Sequence, residues 1–224
     1  FGVLFALAMM LCLSVTAFAE GKTSVDEGPV TEVTLTKTYK LGNDNMSANS
    51  PAEDFSYTVT NLSVTDAAEG ITKENMPEIQ GGTIHFNEGA ATSEGGKGTL
   101  TITLPNDYTS VGIYTYLISE TQGNTAGVLY DSADVTMKVT VVNKDGGTGF
   151  ETYVALYKNG EKITAEEAFT NTYSAGNLTV SKTVEGLLGD KDKAFAFDIK
   201  LDPSEENVKY MESYAISGGG EGSD

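Results

Sequence analysis

Residues 33–41 read Val33-Thr-Leu-Thr-Lys37-Thr-Tyr39-Lys-Leu41, and apolar or aromatic side chains occupy every odd position except 37. Successive side chains of a β-strand point to opposite faces, so this period of two predicts a strand whose odd residues face the core. Lys37 then points into the interior. Because a buried, unpaired ammonium group is costly, the pattern also predicts a polar partner for Lys37 inside the protein.

Two later strand-like stretches place further polar groups on the inward side. In residues 112–120, Glu120 lies on the same side of the predicted strand as Tyr114, Tyr116 and Ile118. In Phe169-Thr-Asn-Thr-Tyr173 the central Asn171 shares the inward side with the two aromatic residues. An amine, a carboxyl group and an amide directed at one interior suit one reaction. We expect an isopeptide bond between Lys37 and Asn171, with Glu120 in the same interior.

Each of these three residues also has a simpler interpretation. Lys37 could be an edge-strand lysine whose alkyl stem carries its amine to water. Glu120 could face solvent at the end of its strand, and Asn171 could belong to a turn or to a sheet edge. The three alternatives are coupled, because the reaction fails if any one of the groups is misplaced.

The fold class follows from short alternating runs rich in Thr, Val, Tyr and Ile, separated by Gly, Asn and Asp clusters. They predict an all-β domain over residues 30–174, an immunoglobulin-like Greek-key sandwich of the CnaB type. The 65–80 stretch is expected to hold one turn of helix. The predicted strands are 31–41, 54–64, 82–86, 98–104, 112–120, 133–143, 149–158 and 167–173.

A second, similar pattern begins near residue 177. Leu178-Thr-Val-Ser-Lys182-Thr-Val184 can be laid on residues 33–39, and Phe195-Ala-Phe-Asp-Ile199 on residues 55–59. We interpret 177–224 as the truncated start of a second, similar domain. It is too short to close a core of its own, so we expect it to be poorly ordered or loosely docked.

The chain begins with an apolar run that predicts export. Residues 1–19 end in Ala17-Phe-Ala19 before Glu20, the small-x-small pattern of a signal-peptidase site, although a membrane span is the alternative interpretation. The single cysteine, Cys12, lies in this predicted signal peptide. The mature chain therefore has no thiol and cannot form a disulfide.

Composition excludes several classes of function. The formal net charge is −18, which argues against nucleic acid and, after cleavage of the leader, against anionic membranes. His85 has no histidine or cysteine companion for a metal, and Gly95-Gly-Lys-Gly-Thr99 lacks the spacing of a phosphate-binding loop. We expect no metal and no cofactor. The inward acids do not supply the carboxylate pair of a glycan-cleaving enzyme, so we expect no enzyme activity beyond the isopeptide step.

Four motifs carry a family resemblance: Lys37 within its strand, Tyr114-x-Tyr-x-x-x-Glu120, Leu129-Tyr-Asp131, and Phe169-Thr-Asn-Thr-Tyr173. In this order they resemble the pilin isopeptide-linkage domain of Gram-positive backbone pilins, the FctA or T-antigen type related to CnaB modules. The resemblance covers roughly residues 30–174 and the opening of the second module.

The resemblance implies that Lys37 is the nucleophile, Asn171 the electrophile and Glu120 the catalytic acid beside them. It also implies that Lys182 is the corresponding lysine of the second module, and that Lys158 or Lys162 could be the lysine through which sortase links subunits. The implied protein is a secreted structural subunit of a cell-wall pilus, with other pilin subunits as partners through sortase and a host surface as a further partner. The alternative is a stalk repeat of a cell-wall-anchored adhesin that is never polymerised. The sorting signal of such proteins is absent from these residues, and we expect it beyond residue 224.

A mechanism follows from the expected burial. Burial should lower the pKa of Lys37 and raise the pKa of Glu120. We therefore expect protonated Glu120 to donate a hydrogen bond to the amide oxygen of Asn171 and to polarise the carbon that the Lys37 amine attacks. Ammonia then leaves, and folding itself drives a single turnover.

Overall fold

The computed structural model describes residues 28–42, 49–176, 178–186, 188–190 and 193–200. The predicted signal peptide, residues 1–19, and the part of the predicted second domain after residue 200 lie outside the described residues. The described chain forms ten strands and one short 3-10 helix, Ala165–Glu167. The strands are β1 Glu32–Leu41, β2 Glu53–Thr65, β3 Gly82–Phe86, β4 Gly96–Thr103, β5 Gly112–Glu120, β6 Val128–Leu129, β7 Val135–Asn143, β8 Phe150–Lys158, β9 Glu161–Ile163 and β10 Phe169–Tyr173.

The strands form two sheets, one in the order β4-β1-β10-β6 and the other in the order β3-β2-β5-β7-β8-β9. The inward side chains of both sheets make one hydrophobic core, which includes Leu35, Phe55, Tyr114 and Phe169. The first and last strands, β1 and β10, are neighbours and run parallel, whereas the other paired strands are antiparallel. The predicted all-β, immunoglobulin-like sandwich is confirmed.

Alternation of side chains explains why these residues form strands. In β7 the apolar residues Val135, Met137, Val139 and Val141 are buried, whereas Lys138 between them is exposed. Burial of each large aliphatic side chain contributes roughly 1.5–3 kcal/mol. The register of the sheet is therefore fixed, because a slip by one residue would turn this apolar face to water.

The predicted strands agree with the structure to within one or two residues at each end. β6 and β9 were not predicted, because two or three residues are too few to show a period. The turn of helix expected in 65–80 is a single hydrogen-bonded turn at Thr72–Met76, closed by the Met76 N–H donating to the Thr72 carbonyl at 3.0 Å, and it does not continue into a helix. The 3-10 helix of the domain lies at Ala165–Glu167. No helix among the described residues is long and apolar enough to cross a bilayer.

The start of the predicted second domain forms no strand in its described residues. A strand needs hydrogen bonds to a neighbouring strand, and no strand pairing involves the described residues between 178 and 200. Leu178 and Phe197 are 69% and 53% exposed. Lys182 is exposed and its Nζ lies 5.4 Å from the centre of the Phe195 ring. The interpretation of this segment as a second, similar domain stays a prediction.

The two sheets approach closely at Gly98 of β4, the cross-strand neighbour of Lys37. A Cβ atom at Gly98 would lie 2.6 Å from Cγ2 of Ile84 and 2.9 Å from Cζ of Phe86, both on β3 of the facing sheet. Only a residue without a side chain fits there without displacing β3. Gly98 thus allows the edge strands of the two sheets to close over the core.

We predict that Gly98→Ala lowers the free energy of unfolding by roughly 1–3 kcal/mol, because the added methyl group overpacks the contact with β3. Gly147→Ala is the matched control, since a Cβ there meets nothing closer than Cδ of Lys144 at 3.9 Å. Guanidinium unfolding of both variants measures the difference. Equal stabilities of the two variants would contradict the close approach.

Candidate functional site

The three inward polar residues of the sequence lie in one buried site between the two sheets. Lys37 on β1 and Asn171 on β10 are both 0% exposed, and Glu120, the last residue of β5, is 7% exposed. The parallel register places Lys37 beside Phe169 and Tyr39 beside Asn171. The lysine and the asparagine therefore lie two residues apart on the same face of one sheet, and the glutamate reaches them from the other sheet.

The Glu120 carboxyl group bridges the other two side chains. Lys37 Nζ donates a hydrogen bond to Oε2, and Asn171 Nδ2 donates one to Oε1 at 2.5 Å. The Tyr57 hydroxyl donates a further hydrogen bond to Oε2 at 3.3 Å, and the Phe55 ring centre lies 4.4 Å from Lys37 Nζ. One carboxyl group thus holds an amine and an amide together in a site walled by aromatic rings.

The orientation of the Asn171 amide is fixed by its second partner. Its Oδ1 accepts a hydrogen bond from the backbone N–H of Asp131 at 2.7 Å. Because a backbone N–H can only donate, the amide oxygen faces Asp131 and the amide nitrogen faces Glu120. The expected hydrogen bond from Glu120 to the amide oxygen is therefore not formed. Glu120 instead contacts the nitrogen, the atom that a reaction with Lys37 would release as ammonia.

Burial shifts the pKa values of the charged pair in opposite directions. Desolvation lowers the pKa of Lys37 from 10.5 to about 8, although the nearby Glu120 favours the ammonium form. Desolvation also raises the pKa of Glu120, against the opposing effect of Lys37. Both shifts favour transfer of a proton from the amine to the carboxyl group. The site can therefore hold a neutral amine, which is the nucleophilic form of lysine, close to neutral pH.

Sequence reasoning missed several residues that complete the site. Tyr57 and Phe55 have the inward parity of β2, which was the available signal for them. Asp131 belonged to the Leu-Tyr-Asp stretch of the family resemblance, but a backbone donor carries no signal of its own. Its carboxylate accepts a hydrogen bond from Lys158 Nζ at 2.6 Å.

The two lysines predicted as candidates for linkage between subunits differ in their exposure to solvent. Lys158 on β8 is largely buried, with its side chain 15% exposed, and its amine also donates to the carbonyl of Ala168 at 2.7 Å. Lys162 on β9 is exposed. No group of three or more His, Cys, Asp or Glu side chains in the described part of the chain could hold a metal.

The fold and this site define an immunoglobulin-like domain whose first and last strands carry a buried lysine and a buried asparagine. Residues 33–174, more than half of the chain, match the family model described as the Spy0128-like isopeptide containing domain, FctA. The chain belongs to this family. Residues 176–224 match a separate model, a domain of unknown function designated DUF7601.

Several proteins similar to this chain are pilins. A curated protein named "Pilin" from Streptococcus pyogenes serotype M1 is 28% identical over 179 residues, which cover 76% of this chain and 49% of that protein. The chain thus spans about half the length of this relative. The crystal structure of the major pilin from Streptococcus pyogenes is similar with a TM-score of 0.57 and 24% identity, covering 73% of this chain and 57% of that one. The S. pyogenes major pilin T3.2 gives a TM-score of 0.50 at 19% identity, covering 65% and 53%. At these identities the structural likeness shows the fold.

We predict a pH dependence of stability that reports on Lys37 when the bond cannot form, as in Asn171→Ala. The folded pKa of Lys37 is about 8 and its ordinary value 10.5, so between these values the unfolded chain binds more protons. The free energy of unfolding should therefore rise as the pH increases through this window. Below about pH 8 both states are protonated at Lys37, and its contribution to the slope disappears.

The control carries Lys37→Met in addition to Asn171→Ala, and it should lack this rise because the titrating amine is gone. Denaturant unfolding of both variants from pH 7 to pH 11 supplies the comparison. Identical slopes for the two variants would show that the amine is not desolvated.

Proposed function

We propose that this chain is a structural subunit of a Gram-positive cell-surface pilus, and that an autocatalytic isopeptide bond between Lys37 and Asn171 stabilises its immunoglobulin-like domain. One observation carries this proposal: the amine of Lys37 and the amide of Asn171 share the buried carboxyl group of Glu120. Membership of the isopeptide family and the similarity to pilins support it.

In the proposed reaction the ammonium of Lys37 first gives a proton to Glu120, which leaves a neutral amine. The amine attacks Cγ of Asn171 and forms a tetrahedral intermediate. Glu120 then delivers its proton to Nδ2, the bond between Cγ and Nδ2 breaks, and ammonia leaves. One of the two remaining amine protons of Lys37 passes to the vacated carboxylate, so the products are one secondary amide, one ammonia and a protonated Glu120. A dry site with both reactants in contact replaces an external enzyme, and the protein turns over once.

The proposed bond suits a protein that carries tension. β1 and β10 are adjacent and parallel, so a link between Lys37 and Asn171 would join the strands through which force enters and leaves the domain. The chain between residues 37 and 171 would then not extend. If the link is treated as an ordinary cross-link, closing a loop of that length contributes about 5 kcal/mol of stability through the unfolded state. The bond would also resist reductants, which suits a protein outside the cell.

We predict that the intact mass of the purified domain is lower than the mass of its sequence by one ammonia, because each isopeptide bond releases one. Lys37→Met removes the nucleophile and Glu120→Ala removes the proton carrier, so both variants should show the full sequence mass. Mass spectrometry of the intact proteins measures the difference.

The matched control is Lys138→Met, since Lys138 is an exposed lysine on the outer face of β7. It should keep the mass deficit of the parent. A parent protein at its full sequence mass would refute the cross-link.

The assembly step is a separate part of the proposal. We propose that the chain is secreted through the signal peptide predicted at 1–19 and is linked by sortase to other pilin subunits at the cell wall. Lys162 is the better candidate for the linkage because its side chain is exposed on β9. Lys158 would first have to leave its hydrogen bonds to Asp131 and Ala168.

We predict that Lys162→Arg abolishes covalent polymers when the full-length protein is expressed with its pilin sortase, because arginine keeps the charge but offers no amine to acylate. Lys158→Arg is the control and should still give polymers, seen as a ladder on denaturing gels. A ladder that persists in Lys162→Arg would contradict this assignment. The absence of polymers from the unsubstituted protein would favour the stalk of an anchored adhesin.

A further inference from the structure

We propose that the backbone N–H of Asp131 stabilises the oxyanion formed on Asn171 during isopeptide formation, and that the Asp131 carboxylate and Lys158 are positioning groups for this donor. The inference rests on the proposed reaction between Lys37 and Asn171. It assigns to Asp131 and Lys158 a role apart from the proton transfers of Glu120.

The donor lies where negative charge would develop. When the Lys37 amine adds to Cγ of Asn171, the amide oxygen Oδ1 becomes an alkoxide. The Asp131 N–H donates to this oxygen at 2.7 Å. Donors at about 2.7–3.1 Å from such an oxygen are the basis of oxyanion holes in acyl transfer. Asn171 is fully buried, so water screens this interaction weakly.

The donor is held in place by four hydrogen bonds that Asp131 accepts. Its Oδ2 accepts from Lys158 Nζ at 2.6 Å and from the backbone N–H of Thr170 at 2.9 Å, and its Oδ1 accepts from the backbone N–H of Ala133 at 3.0 Å. Its carbonyl oxygen accepts from Gln122 Nε2 at 2.8 Å. A donor fixed before the reaction needs no reorganisation when charge appears.

Asp131 also fixes the strand that carries the reacting amide. Thr170 directly precedes Asn171, so the Asp131 carboxylate binds the backbone of β10 while the Asp131 N–H binds the reacting side chain. Lys158 completes the arrangement, since its amine donates both to Asp131 and to the carbonyl of Ala168 just before β10. The ion pair is largely shielded, with side chains 15% and 11% exposed. Lys158 thereby links the Asp131 carboxylate to the backbone at the start of β10.

The Asp131 N–H exchanges no proton in the reaction. In the tetrahedral intermediate the nitrogen of Lys37 is bonded to Cγ, and the negative Oδ1 accepts the hydrogen bond from Asp131. As the C=O bond re-forms, the bond to Nδ2 breaks and that nitrogen takes its proton from Glu120. The donor lowers the energy of the intermediate, and the products remain one amide and one ammonia.

The direct test removes the N–H and keeps the side chain. Replacing Asp131 by its α-hydroxy analogue, malic acid, during translation puts an ester in place of the Tyr130–Asp131 peptide bond. The full chain is isolated in the unfolded state and then refolded. Samples are quenched with acid at intervals, and the mass of the intact protein is measured by mass spectrometry. We expect ammonia loss to be slower by about 10²–10³-fold than in the parent. The matched control is an ester at the exposed Ser132, which should react at the parental rate.

The positioning role of Lys158 is tested by a pair of substitutions. Lys158→Met keeps an unbranched side chain but loses the charged Nζ, which lies 5.4 Å from the centre of the Phe169 ring, and ammonia loss should slow by about 10-fold to about 100-fold. Lys158→Arg can still pair with Asp131 and should restore most of the rate. Circular dichroism recorded in parallel shows that each variant has folded, which separates slow chemistry from slow folding.

Each outcome bears on a different statement. If the ester at Asp131 reacts as fast as the ester at Ser132, the oxyanion assignment is wrong, while ammonia loss by the parent still supports the proposed bond. If the ester at Asp131 prevents folding, the Lys158 pair decides, and parental rates for Lys158→Met would overturn the inference. If the parent loses no ammonia, the proposed function and this inference both fail.

Discussion

The site depends on one constraint: a carboxyl group, an amine and an amide must share a volume from which water is excluded. Glu120 can satisfy Lys37 and Asn171 together because it lies between them, with one oxygen toward each. Burial of any one of the three alone would cost several kcal/mol. When all three are buried together, desolvation lowers the pKa of Lys37 and raises the pKa of Glu120. These shifts bring the amine toward its neutral, nucleophilic form.

The sandwich supplies this arrangement through its topology. The parallel pairing of β1 with β10 makes the first and last strands neighbours, and it sets Lys37 and Asn171 on one face. β5 ends at Glu120 in the facing sheet, so the carboxyl group reaches across the core. A link at this place would close the domain at the two strands that continue into the rest of the chain. The same geometry therefore serves both the proposed chemistry and the proposed resistance to force.

Much of the fold could be predicted because the pattern is strong where burial is complete. The period of two in residues 33–41 predicts both β1 and the burial of Lys37, and the aromatic neighbours of Asn171 predict its inward direction. The orientation of the Asn171 amide could not be predicted, since it depends on the backbone N–H of Asp131, forty positions away in the chain. The hydrogen bond from Lys158 to Asp131 could not be predicted either. The position of Lys158 at the end of β8 does not show where its amine lies.

The most direct test of the proposed bond is a tryptic peptide map of the mature protein. Trypsin cleaves after lysine but not after a lysine whose amine is acylated. The account predicts one branched peptide in which residues 23–40, uncut at Lys37, are joined through Asn171 to residues 163–182, with the loss of one ammonia. Separate linear peptides, one ending at Lys37 and one containing an unmodified Asn171, would contradict it.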